Sequence, residues 1–159
     1  MALIFLLLTI HGTPAHQGTA IPRVRSENSV LSAAIVQGAE RSATFRRLIE
    51  AIDATDGLVY VLEGRCGQGV RACLHMSLEL SGENRLLRIL VNLRRAPGCE
   101  LIASIGHELQ HALEVLSNPK VRTSFGMSSF FHQIGPEGPR RFETPEAIQV
   151  GLAVVKEAC

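Results

Sequence analysis

The sequence predicts an α+β fold: a small, mostly antiparallel sheet of about three strands, packed against one apolar helix, with further helices at both ends of the chain. Three observations carry this expectation. Apolar and polar residues alternate over 71–80 and over 85–93, the period-2 pattern of half-buried strands. Apolar residues recur at helical spacing over 42–57 and over 99–116. The chain has 159 residues, 46% hydrophobic and 19% charged, which suits one domain with a real core and leaves too little for two.

The first 20 residues stand apart. MALIFLLLTIHGTPAHQGTA has no Asp, Glu, Lys or Arg, and the first charge in the chain is Arg23. Its apolar run, ALIFLLLTI, has signal-peptide length and is too short to span a bilayer easily. Ala15 and Ala20 are small residues of the kind that precede a cleavage site. No basic residue precedes the run, which departs from the usual start of a leader. The expected organisation is a leader over 1–20 and a single domain over 21–159, exported to the periplasm or secreted, with no stable membrane span after leader removal.

The elements follow in order. RVRSENS is polar and reads as loop. VLSAAIVQGAE reads as a short helix ended near Gly38. SATFRRLIEAIDATDG reads as a helix capped by Ser42, with Phe45, Leu48, Ile49 and Ile52 on one face and Gly57 just past its end. LVYVLE is a short β-rich run. In RACLHMSLEL, Ala72, Leu74, Met76, Leu78 and Leu80 share one face; in RLLRILVNL, Leu87, Ile89, Val91 and Leu93 do. SGEN between them is a turn, so the two runs form a hairpin joined to a third strand.

RRAPG breaks the chain, and a helix follows from about Cys99 to Leu116. Leu101, Ile105, Leu109, Ala112, Leu113 and Leu116 give it a broad apolar face, and SNP closes it. The stretch 121–131 fits a short helix with loop, and GPEGP a turn-rich loop. TPEAIQVGLAVVKEA closes the chain as a helix, with Thr144 as cap and Pro145 at its first position.

Composition narrows the function classes. A net charge of +1, no Trp and a single Tyr, Tyr60, argue against nucleic acid, an anionic membrane surface and an aromatic stacking platform. Four cysteines occur: Cys66, Cys73, Cys99 and Cys159. Cys66 and Cys73 bracket a Gly-rich loop, the arrangement of a short-loop disulfide in an oxidising compartment or of two buried thiols in a reducing one. No CxxC pair exists, which removes a zinc ribbon. Four cysteines allow three pairings, and sequence does not choose among them.

One stretch carries chemistry. GHELQHALEV places His107 and His111 four apart on a helix, one above the other, with Glu108 following the first. Two imidazoles so placed can ligate one zinc ion, and the carboxylate between them can reach a water without itself being a ligand. Three fixed residues recur by accident in about one chain in a few hundred of this length. Here the context agrees: strands precede the motif and apolar neighbours bury its helix. The bland alternative is two unrelated histidines on a leucine-rich helix.

With GHELQHALEV and the strands ahead of it, the chain resembles the zincin metallopeptidases over roughly 57–116, with a weaker echo at the C-terminus. The resemblance implies a minimal zincin-like domain, of the kind found among small bacterial proteins. It implies a Zn2+-dependent peptidase acting on a peptide or protein substrate, with Glu108 as general base and His107 and His111 as ligands. It also implies that an edge strand holds the substrate backbone by β-addition. The alternative is a non-catalytic zinc-binding or interaction domain on the same scaffold. An intact Glu108 argues against it, because a purely structural site needs no base.

Two histidines leave zinc in need of a third protein ligand and an open position. The metzincin pattern would put Gly at 114 and His at 117, where this chain has Glu114 and Ser117. No Asp follows Asp56, so the later acids are Glu114, Glu137, Glu143, Glu146 and Glu157. The resemblance to gluzincins, which take a Glu from a later helix, points to Glu143 in FETPEAIQVG, with Glu146 as the alternative. Glu146 otherwise serves the helix dipole, and Glu114 otherwise orients a histidine or faces solvent. His132 is a further candidate ligand. His132, Arg140 and Arg141 are the candidate oxyanion donors, none of them specific. His75 and Tyr60 read as structural.

Overall fold

A computed structural model describes residues 21–135 and 142–159. The leader expected over 1–20, and Glu137, Arg140 and Arg141, lie outside the described residues. Helix α1 (Ser29–Arg41) starts where the Asn28 side chain accepts from the Val30 and Leu31 amides. It runs past its expected stop at Gly38. That glycine is there for packing, since a Cβ would meet Phe45 Cε1 at 2.9 Å and Ile102 Cγ2 at 3.0 Å. Helix α2 (Ala43–Asp53) is capped as expected: Ser42 Oγ accepts from the Phe45 N–H at 3.0 Å. Gly57, the expected stop of α2, instead opens a strand, and its missing side chain makes room for Leu116, whose Cδ1 a Cβ would meet at 2.3 Å.

The sheet is mixed, not mostly antiparallel. Strands β1 (Val24–Arg25), β2 (Gly57–Glu63) and β5 (Asn84–Val91) run parallel, and β3 (Ala72–Leu74) and β4 (Glu79–Ser81) pair with β5 antiparallel. β1 falls in the stretch expected to be loop. The hairpin does form between β4 and β5, through Gly82 at φ 60°. What differs is the placement of β2. The run over 71–80 descends on the far side of β5, so β2 and β5 become direct neighbours running the same way.

That run is not one strand either. Between the pairs Leu74↔Ile89 and Glu79↔Leu86, residues 75–78 of the edge oppose only 87–88 of β5. The extra residues bulge, with the His75 N–H still bonded to the Arg88 carbonyl at 2.8 Å. Past the bulge the apolar alternation loses its partner face, and Leu80 is 53% exposed.

Helix α3 (Cys99–Leu116) has the bounds the sequence predicts and lies against the sheet. Its Ile105, Leu109, Ala112 and Val115 are fully buried, as are Val59 and Val61 of β2 and Leu87, Ile89 and Val91 of β5. The stretch expected to hold a short helix with loop forms α4 (Ser124–Ile134). Helix α5 (Pro145–Ala158) opens on Thr144, whose Oγ accepts from the Ala147 N–H at 3.2 Å. It packs along α3, and Gly106 permits the approach: a Cβ there would meet Val154 Cγ2 at 3.1 Å. The disulfides are Cys66–Cys73, one of the two arrangements the sequence leaves open for that pair, and Cys99–Cys159. Among the described residues no helix is long and apolar enough to cross a membrane.

Candidate metal centre

Helix α3 presents His107 and His111 on one face, their ring centroids 4.9 Å apart and nearly perpendicular. The turn before α5 brings Glu143 to them. One ligand-type atom from each of His107, His111 and Glu143 lies within 4.8 Å of the others, a group that could hold a metal ion. His107 Nε2 is 3.4 Å from Glu143 Oε2. Two donors at zinc-ligand distance from a tetrahedral centre are about 3.3 Å apart, so this pair fits such an ion without rearrangement.

The second histidine is oriented from behind. Its Nδ1 lies 3.1 Å from Glu114 Oε2, which leaves Nε2 as the nitrogen available to a metal ion. The other oxygen of Glu114 accepts from Thr144 Oγ at 2.7 Å. Thr144 directly follows Glu143, so one carboxylate bonds one candidate ligand and the neighbour of another. Phe131 of α4 closes the same side, its ring 5.6 Å from that of His111 in an edge-to-face contact.

Glu108 is 7% exposed and is not part of the trio. Its Oε2 accepts from the Leu74 N–H of β3 at 2.7 Å, which ties the motif to the sheet edge. Burial raises its pKa, opposed by the charges of His111 and His107 and by the Leu74 amide. For His107, burial pulls the pKa down, but the Glu143 bond and the nearby Glu108 and Glu143 charges outweigh it and the ring is held above its ordinary value. Glu114 is raised by burial, yet its bonds to His111, Thr144 and Gln110 bring it below the ordinary range.

Two cavities meet here. One, of about 520 Å³, is lined by Leu74, Met76, Glu108, His111, Phe131 and Glu143 among others. The other, of about 890 Å³, is lined by His107, Glu108, Glu143 and the Ile148, Leu152 and Val155 face of α5.

The remaining candidates fall elsewhere. Glu146 sits exposed in the first turn of α5, outside the trio. His132 is exposed on α4 with its ring against Phe142. His75 lines the smaller cavity and bonds Ser77 Oγ at 2.7 Å. Tyr60 bonds Arg25 on β1. Sequence reasoning missed Phe131 and the Leu74 amide. The Phe130–Phe131 pair was a usable signal, since adjacent aromatics seldom both face solvent. A backbone donor has none. Compared with known protein families, curated proteins and solved structures, the chain matches none.

Proposed function

We propose that the protein is a zinc-dependent peptidase in which Glu108 is the general base. The observation that carries this reading is Glu108 itself. It is a buried carboxylate beside the trio, outside it, and on the wall of both cavities. Holding an ion needs no such group, whereas water-mediated hydrolysis does. Two imidazoles and one carboxylate are the ligand set of an open, catalytic zinc site. Bound zinc supplies Lewis acidity to the scissile carbonyl and to the attacking water.

The chain's own residues do the rest. The Leu74 amide holds Oε2 of Glu108, and Oε1 remains to take a proton from water and to hand it to the leaving amine. β3 is the sheet edge on the cavity wall, so an extended peptide can align there by main-chain hydrogen bonds. The two disulfides agree with work in an oxidising compartment.

The test joins metal analysis to proteolysis. One zinc per chain is expected, lost in the His107→Ala/His111→Ala variant. Glu108→Gln should keep the zinc and lose about 100- to 10,000-fold in kcat. Zinc-loaded protein that cleaves nothing in a broad peptide library would return the site to a binding role.

A further inference from the structure

A third cavity, of about 690 Å³, adjoins the metal cleft and is lined by Arg65, Gly67, Gln68, Asn92, Arg94 and Arg95, with no acidic residue. It shares one lining residue with each half of the cleft. Arg65 also lines the cavity that holds His111, and Arg95 the one that holds His107. Four other arginines have acidic partners: Arg71 pairs with Glu100, Arg85 and Arg122 with Asp56, and Arg88 with Glu79; Arg23, Arg25, Arg46 and Arg47 donate to neutral groups. The guanidinium groups of Arg65, Arg94 and Arg95 make no ion pair or hydrogen bond with any described residue. Glu63 lines a smaller pocket with Arg65 and Arg94 and is itself exposed, and Glu100 lines the larger half of the cleft with Arg95.

Three unpaired guanidinium groups around one concavity repel each other and stay only where that cost is small or a ligand offsets it. The fold also fixes their setting. Arg65 precedes Cys66, whose disulfide to Cys73 pins its loop to β3. Gly67 and Gly69, at φ 146° and 80°, give that loop a shape that other residues rarely adopt. Arg94 and Arg95 follow β5 in a turn closed by the Arg95 N–H on the Asn92 carbonyl.

We propose that Arg65, Arg94 and Arg95 form an anion-binding subsite that selects peptides with an Asp or Glu side chain to one side of the scissile bond. The proposal rests on the peptidase reading of the cleft and adds its substrate class. A peptide along β3 reaches the arginines at the end of the strand where the disulfide loop joins it, and guanidinium groups match carboxylate oxygens in a planar fork.

The test is binding to zinc-loaded Glu108→Gln protein, which leaves peptides intact. The probes are two fluorescein-labelled decapeptides of one apolar sequence, one with a Glu pair and one with a Gln pair. The Glu peptide should bind about tenfold tighter, and the gap should shrink with added salt. Arg65→Gln/Arg94→Gln/Arg95→Gln should bring the two affinities together, with its circular dichroism unchanged because all three side chains are exposed. Equal affinities before substitution, a preference that survives it, or no binding of the Glu peptide each overturns the proposal. Cleavage by the wild type is scored separately. Cleavage without acidic preference removes the subsite and leaves the peptidase; acidic preference without cleavage removes the peptidase and leaves an anion-binding cleft.

Discussion

Glu114 is neither a member of the metal-binding group nor the base, yet it touches both halves of the site. It bonds His111 through one oxygen and Thr144, the neighbour of Glu143, through the other. Its side chain is 12% exposed, so water replaces it poorly. Glu114→Ala is expected to weaken zinc binding about 10- to 100-fold with all three ligands intact, the range for losing a partner that orients a ligand. Competition with a chromophoric chelator measures it, and wild-type affinity in the variant would place Glu114 outside the site's support. Sequence showed Glu114 as a possible orienting group from its position three residues past His111. It could not show the bond to Thr144, because that contact joins residues 30 apart.

At the scale of elements, the end of α3 is held by a residue that sequence reading passed over. Arg85 of β5 is 2% exposed, and all three of its nitrogens donate. They reach Asp56 and the carbonyls of Val115, Leu116, Asn118 and Val121 at the C-terminus of α3 and beyond, of which the Val115 and Asn118 carbonyls also accept from the Asn118 and Val121 amides. The signal was there: Arg85 has the same parity as Leu87, Ile89 and Val91, and a charge on a buried face needs partners. Arg85→Met should cost about 3 kcal/mol by urea unfolding, since it takes this donor from the Leu116 and Val121 carbonyls and leaves Asp56 with Arg122 alone. Arg85→Lys should recover little, because an ammonium lacks the fork. Other features of the elements divide by whether they carry a local signal. The bounds of α3 and the Thr144–Pro145 start of α5 follow from period and cap chemistry. The parallel β2–β5 pairing and the bulge at 75–78 depend on which strands become neighbours, and alternation is blind to direction. A second element contact makes a pH prediction. Glu157 of α5 accepts from Ser42 Oγ, the Thr44 amide and Thr44 Oγ at the start of α2, and these bonds hold its pKa down to about 2, from 4.5. A carboxylate lowered on folding stabilises fully above its unfolded pKa and loses that contribution as pH falls through the folded one. The window is therefore from about 4.5 down to about 2. Glu157→Gln should flatten the fall of stability across that window. The effect should be under about 1 kcal/mol, because the side chain is exposed and screened. An unchanged acid limb in urea titrations would remove the assignment.

At the scale of the whole molecule, the site depends on how α5 is hung on α3. Glu143 stands just before α5, and two histidines on α3 await it. The helices are joined at one end by the Thr144–Glu114 bond and at the other by Cys99–Cys159, with Gly106 letting them close between. The two disulfides should therefore differ in kind. Cys99–Cys159 links residues 60 apart, and chain entropy assigns it about 4 kcal/mol; Cys66–Cys73 spans 7 and is worth about 2 kcal/mol. Loss of the first also frees the far end of α5, so Glu143 must be ordered when the metal binds and part of the binding free energy is spent on that ordering. Loss of the second loosens the loop before β3, which supports Glu108 through Leu74 but carries none of the three ligands. Cys99→Ser/Cys159→Ser is thus expected to lose more stability than Cys66→Ser/Cys73→Ser and also to bind zinc more weakly. Saturating zinc should return part of its lost melting temperature, because an ion bound only by the folded state stabilises by mass action. Urea unfolding and zinc titration on the two variants separate these effects. If both lost zinc affinity equally, α5 would be positioned by its packing on α3 alone, and the disulfide would serve stability without serving the site.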